Sequence, residues 1–311
     1  MATLMLLSIF AVLLTATNSV SITCPYMEDL KPCTCGRIAY GSLVRCADFN
    51  SADVLERVLK IIGDYEVHTL LLHNLHIEEM LPINLFKGLK IKKIQISHSF
   101  LKFNEPAFAG LDSSLSVLNV ETESMIRSKE TFKIAKLSKL NVLNVQHNNI
   151  NQVDDMWLKD KVPNLKEVVL DYDEIHLIQD HAFASMPYLE QISLSDNRIK
   201  EVKRSMFPNP ATHLFKIDIS YNDLSSLPKD FFQRMPSLKE VILSGNPLRS
   251  LPELTWNCVW DQLTKVYLFE TEMECDEEIS WIKNKRKPEE LKGLCKGPKN
   301  MHGRSINELY S

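Results

Sequence analysis

Glycine is scarce: 9 residues in 311, with no glycine-rich run. Loops that cradle phosphate with backbone N–H groups therefore have little to work with. An excess of positive charge is missing as well. Lys plus Arg number 36 against 40 Asp plus Glu, a formal net charge of −4, which provides no basic field for nucleic acid. No asparagine begins an N-x-[ST] sequon, so N-linked glycosylation is not expected. Beyond the N-terminus no stretch reaches the ~18 apolar residues of a membrane span. The polar ending GRSINELYS has no tail for a lipid anchor signal. Serine-hydrolase elbows, H-E-x-x-H, Walker loops and dinucleotide fingerprints are all absent. No catalytic residue and no cofactor is expected.

What is present is ample core material, with 44% apolar residues, which argues against wholesale disorder. Leu4 to Leu14 is apolar apart from Ser8, too short to span a bilayer, and is followed by small residues at Ser19 and Ser21. Residues 1–21 read as a secretory signal peptide, with a buried helix as the alternative. The mature chain is expected to be secreted and extracellular, where disulfides persist.

Internal repetition decides the fold. The template L-x-x-L-x-L-x-x-N-x-L recurs nine times, starting at Val67, Ile91, Leu115, Leu140, Leu165, Leu189, Leu214, Leu238 and Leu263. All four apolar template positions are filled in every copy, as in LNVLNVQHNNI from Leu140. Each copy predicts a short strand whose alternate residues, such as Leu143 and Val145, point inward. A turn at the N position follows, then a return along the outer side plugged by Phe86, Phe108, Phe132, Phe183, Phe207 or Phe232. One copy cannot bury its apolar edge, but stacked neighbours can. The expected fold is therefore an α/β leucine-rich repeat solenoid, a curved horseshoe with a parallel sheet on its concave face.

The ninth template position holds Asn148, Asn197, Asn222 and Asn246, with Asp173 in the fifth copy. A buried asparagine there can bond the unpaired backbone of the turn. Copies one to three carry Leu75, Ser99 and Glu123, so the ladder is expected to be regular from Asn148 onward and looser before it.

The chain resembles the extracellular leucine-rich repeat family in these repeats and in two flanking clusters. Cys24, Cys33, Cys35 and Cys46 are similar to that family's N-terminal cap. Cys275, Asp276, Trp281, Cys295, Pro298 and Gly303 match its C-terminal cap, although Glu277 stands where the pattern has its second cysteine and no fourth cysteine precedes Ser311. The resemblance implies bridges Cys24–Cys35, Cys33–Cys46 and Cys275–Cys295, the C-terminal cap being truncated by one bridge. A zinc site is the alternative for the first four. The resulting division is 1–21 signal peptide, 22–66 N-terminal cysteine-rich cap, 67–274 nine repeats and 275–311 truncated C-terminal cap. Seven cysteines then leave Cys258 unpaired, either a small thiol packed among aromatics or the site of an intermolecular disulfide. The layout also resembles secreted arthropod members of the family, including non-catalytic subunits of secreted luciferases, which implies an accessory role without catalysis.

Two further groups were weighed. His73, His98 and His147 fall at strand positions of the early copies; surface histidines are the default, and a metal site with Glu121 the alternative. The run Lys283 to Lys287 reads as a solvated face, with an anionic-ligand patch as its rival. What remains is the concave face. Its outward set includes Leu71, Gln95, Asn119, Asn144, Val169, Ser193, Asp218, Ile242 and Tyr267, flanked by Tyr172, Tyr221 and Phe269. Eight spacings of ~4.8 Å give an arc of roughly 38 Å, long enough for an interface of about 800 Å² per partner. Tyr172, Tyr221, Tyr267, Phe269, Asn144 and Asp218 are the candidate contacts for a protein partner. Neither nucleic acid nor a membrane span is expected. A role as the non-catalytic accessory subunit of a secreted enzyme, in a luciferase- or monooxygenase-like complex, and innate-immune recognition of microbial surface molecules are the alternative functions.

Overall fold

A computed structural model describes residues 24–121, 134–155 and 157–310. The expected signal peptide, the plug Phe132 and the turn residue Glu123 lie outside the described residues. Among the described residues the nine repeats and the two caps together build one twelve-stranded sheet. It opens with an antiparallel pair, Thr34–Ile38 and Gly41–Ala47, and every later pairing in it is parallel. The register is that of the sequence template. Leu70 faces Ile94, Ile94 faces Leu118, Leu118 faces Leu143, and the row continues to Val266 and Leu291. The fourth and sixth template positions are buried throughout, while the fifth is half-exposed. That alternation follows from the two-residue period of a strand and puts one apolar edge of each copy inside. The fold is a leucine-rich repeat solenoid with few helices, its return segments mostly turns and short 3-10 pieces.

The outer side is filled by rings. Phe86 and Phe108 stack at 5.5 Å between centroids. Further on, Phe183, Phe207, Phe231, Phe232, Trp256, Trp260 and Trp281 form a continuous aromatic spine, with steps of 4.6 to 6.2 Å. Each buried ring removes a large apolar area from water, and tilted or edge-on pairs add to this. Among these rings lies a buried cation. Arg204 is 7% exposed and donates to the carbonyls of Phe207, Pro208 and Gln233. Burial lowers its pKa from the ordinary guanidinium value, and the fixed fork of donors suits it to joining three carbonyls of two neighbouring return segments.

Both ends of the core are covered. At the N-terminal end Cys24 bonds Cys35 and Cys33 bonds Cys46, so these cysteines form disulfides rather than a zinc site. The helix Ala52–Ile62 follows, started by the Ser51 hydroxyl accepting from Val54 N–H at 3.4 Å. It buries Leu55, Val58, Leu59 and Ile62, the spacing of one helical face. At the C-terminal end Cys275 bonds Cys295, and strand Glu290–Gly293 continues the parallel sheet. Ile279, Ile282, Ile306 and Leu309 close the core there, and the Trp281 indole N–H donates to the Leu251 carbonyl at 2.7 Å.

The structure refines two expectations. Cys258 is in no disulfide and is exposed as a residue; Trp256 and Trp260 on either side are buried, and the thiol donates to the Thr255 carbonyl at 3.6 Å, with partial burial raising its pKa. The asparagine ladder is regular from Asn148 onward and broken before it, as expected, but the early strands are longer. Where Leu75 offers no side-chain bond, the strands Glu66–His73 and Lys90–Ser97 run for eight residues, against three in Gln191–Ser193 or Glu240–Ile242. A second parallel pair, His76–Leu81 with Phe100–Phe103, reinforces them on the far side of the turn. There the Ser99 hydroxyl, which accepts from Leu75 N–H at 3.0 Å and donates to the Ser97 carbonyl at 2.8 Å, shares with this backbone pairing the task that asparagine performs later.

Candidate functional site

The site begins with the ladder that shapes the turns. Asn222 accepts from Ile199 N–H at 2.9 Å and donates to the carbonyls of Leu194, Ile219 and Ser220. Asn197 and Asn246 repeat the pattern, and Asn148 donates in the same way to Val120 and Gln146. Each asparagine thus joins its own turn to the preceding repeat. With or without an asparagine at the ninth position, the eighth takes a left-handed backbone conformation in copy after copy. Asn74, His98, His147, Tyr172, Asp196, Tyr221, Gly245 and Glu270 all have φ between +50° and +69°. Asn, His, Asp and Gly tolerate that region, whereas a tyrosine there is strained by about 1–3 kcal/mol. Tyr172 and Tyr221 are therefore held in place by the turn around them.

Their rings look outward. Tyr172 is 50% exposed and Tyr221 46%. Tyr172 stacks on His147, with centroids 4.6 Å apart and ring planes 8° from parallel. Tyr221 lies flat against the next repeat, where a Cβ on Gly245 would fall 2.4 Å from its Cδ1; only glycine leaves room for the ring. Beneath them are acids. The Asp171 carboxylate accepts from the Ser193 hydroxyl at 2.7 Å and from Ser195 N–H at 2.8 Å. Burial raises its pKa despite those bonds, and Asp218 and Asp196 push in the same direction. Asp218 accepts from the Ser220 hydroxyl and N–H. Asp196 is the main cause of a raised Tyr172 phenol pKa.

Of the six residues expected from the sequence, the structure brings Tyr172, Asp218 and Tyr221 to this cluster. Tyr267 and Phe269 form a separate pair further along, ring centroids 6.3 Å apart. Phe269 is 44% exposed, while Tyr267 is half-buried and its hydroxyl donates to Glu290. Asn144 lies next to Asn119 in register, and the side-chain oxygens of both are buried without a hydrogen-bond partner. Sequence reasoning missed Asp171, Asp196 and His147 as members of the cluster. The signal lies in the seventh and eighth template columns, which hold acids, tyrosines and histidines and no Lys or Arg. His73 and His98 meet edge to face at 5.4 Å, and among the described residues no three His, Cys, Asp or Glu side chains group as a metal site. Lys283, Arg286 and Lys287 are exposed, and Lys285 and Arg286 turn to Asp261 and Glu289. No helix among the described residues is long and apolar enough to cross a membrane.

The repeat class is visible in other proteins. Residues 138–199, 163–211 and 187–248 match the Leucine rich repeat family model. No curated protein matches the chain. Among solved structures, the octameric complex of Latrophilin 3 (Lec, Olf), Unc5D (Ig, Ig2, TSP1) and FLRT2 (LRR) contains a similar chain. It has a TM-score of 0.60 and 19% identity, and the match covers 91% of this chain and 97% of that one. A chain of the TLR13–ssRNA13 complex matches with a TM-score of 0.62 and 20% identity over 75% of this chain and 32% of that one. This protein therefore spans about a third of that second chain's length. At such identities the likeness is one of fold, the leucine-rich repeat solenoid.

Proposed function

We propose that this is a secreted, non-enzymatic leucine-rich repeat protein that binds a protein partner through the concave face of its sheet. The observation that carries the reading is the pair Tyr172 and Tyr221. Both are half-exposed and held in a conformation that costs energy for tyrosine, and exposed aromatics in a curved surface are the residue type that dominates interface energies. Three disulfides support an oxidising compartment, and the similar chain in the Latrophilin 3, Unc5D and FLRT2 assembly supports protein recognition as a use of this fold. A nucleic acid ligand is disfavoured by the acids around the tyrosines, which repel phosphate.

The test is affinity purification of the native protein with identification of what travels with it, repeated with Tyr221→Ala and Tyr267→Ala. Both substitutions are expected to weaken capture of the partner; the melting temperature stays put in Tyr221→Ala and falls slightly in Tyr267→Ala, which loses the bond to Glu290. Unchanged capture removes this face from consideration. A stoichiometric enzyme in the eluate would make the protein an accessory subunit, and retention on bacterial or fungal wall material would make it an immune recognition protein. The exposed, unpaired Cys258 favours a further, covalent contact through the outer side. On a non-reducing gel, absence of any reductant-sensitive band at the mass of a dimer or heteromer would eliminate that link.

A further inference from the structure

Charge on the concave face is sorted along the strand direction. At the second and third template positions, where strands begin, Lys92, Lys93, Lys166, Lys216, Lys239 and Lys265 outnumber Glu167, Glu190 and Glu240. Two pairs form, Lys166 with Glu190 at 2.7 Å and Lys265 with Glu240 at 2.9 Å, and the remaining lysines leave this side with positive charge. The fifth, seventh and eighth positions, where strands end, contain no Lys or Arg in any of the nine copies. They contain Glu121, Asp171, Asp196, Asp218 and Glu270 instead. Among the described residues Asp171, Asp196, Asp218 and Glu270 form no ion pair with Lys or Arg. Asp171, Asp196 and Asp218 meet around two serines: the Ser195 hydroxyl donates to Asp196 at 2.8 Å and lies 3.0 Å from the Ser220 hydroxyl, which donates to Asp218 at 2.6 Å, while Ser195 N–H donates to Asp171 at 2.8 Å. Tyr172 and Tyr221 stand beside them with exposed rings.

An uncompensated negative field with aromatic faces beside it is the environment that attracts a cation with an apolar stem. Acids alone would attract any cation. The rings select one that can also stack, which favours the planar guanidinium of arginine over a compact ammonium. Resting on the concave-face reading above, we infer that the strand-end side of repeats five to seven docks an arginine-bearing segment of the partner protein. The guanidinium lies against Tyr172 and Tyr221, between the carboxylates of Asp196 and Asp218. The lysine-bearing strand-start side repels the same cation and so fixes which side it docks on.

The probe is fluorescein-labelled decaarginine, with decaglutamate and decalysine as comparisons, titrated with the full-length protein at low ionic strength and followed by fluorescence anisotropy. Decaarginine is expected to bind more tightly than decalysine, and decaglutamate not to bind. The double variant Asp196→Asn, Asp218→Asn is expected to weaken decaarginine binding by roughly tenfold or more, and Tyr172→Leu by roughly threefold with no change of charge. The control double variant Glu56→Gln, Glu253→Gln removes two exposed acids, one from the N-terminal cap helix and one from the return segment of the eighth copy, and is expected to leave binding nearly unchanged. Equal losses in both double variants would show attraction to net charge alone and overturn the inference, as would absence of decaarginine binding or preference for lysine. If decaarginine fails while Tyr221→Ala still lowers capture of the native partner, the cationic chemistry falls and concave-face recognition stands. If neither responds, both fall.

Discussion

At the scale of single residues, Asp173 is the most informative departure from the repeat. It occupies the ladder position that asparagine fills on either side, and it is 8% exposed. Its Oδ1 accepts from Asn148 N–H at 2.7 Å and Ile150 N–H at 3.2 Å, as an asparagine oxygen would. Its Oδ2 has no partner, where an asparagine would present the Nδ2 donor that reaches carbonyls in the other copies. A protonated carboxyl supplies a donor there and a carboxylate does not. Burial accordingly raises the Asp173 pKa to about 6, with nearby Asp171 pushing the same way. The folded state binds this proton more tightly than the unfolded chain, whose carboxyl keeps the ordinary value of 3.8. The associated stability is fully present below pH ~4 and is lost as pH rises through ~6, up to roughly 3 kcal/mol in all. Thermal unfolding of wild type and Asp173→Asn from pH 4 to 8 should show the variant gaining on the wild type as pH rises and levelling off above ~7. Parallel curves would mean that the carboxyl is not protonated in the fold.

At the scale of elements, the two halves of the sheet are held by different means. The later repeats have three-residue strands and rely on asparagine side chains. Asn222→Leu strands the Ile199 N–H and removes a donor from three carbonyls; at the cost of unmade buried hydrogen bonds it should destabilise the protein by roughly 2–4 kcal/mol. Equilibrium denaturation with urea checks this, and a loss under about 1 kcal/mol would mean that water replaces the side chain. The apolar rows were legible because burial imposes a period of two on the strand and one row per repeat. Strand length was not, since the sequence at Leu75 shows the missing asparagine but not the extended pairing of His76–Leu81 with Phe100–Phe103 that helps to compensate for it. Cys258 was only partly legible for a related reason: its aromatic neighbours are buried, but within a tight turn adjacent residues point in different directions.

For the molecule as a whole, the caps decide whether the stack survives. The Cys275–Cys295 bridge spans 20 residues and should contribute about 3 kcal/mol by limiting the unfolded chain. Cys275→Ser with Cys295→Ser is expected to lower the melting temperature by several degrees while the far-ultraviolet circular dichroism at 20–25 °C stays unchanged, since sheet and spine remain. Loss of the dichroism signal at that temperature would show that the cap is needed for folding at all. The site was only partly legible at this scale. Tyr172, Asp218 and Tyr221 could be placed from their register, but the acids that accompany them emerge only when the columns are read across repeats, because their effect is a shared field and not a motif. The division of labour along the sheet also bears on how such a chain can lengthen. A later repeat carries its own adhesive in a single asparagine, so copying that segment copies the means of attaching it. An early repeat depends on a long strand matched to both neighbours and cannot be duplicated alone without disturbing them. Growth by insertion is therefore easier on the side where the exposed tyrosines sit, and new recognition surface would accumulate next to the old.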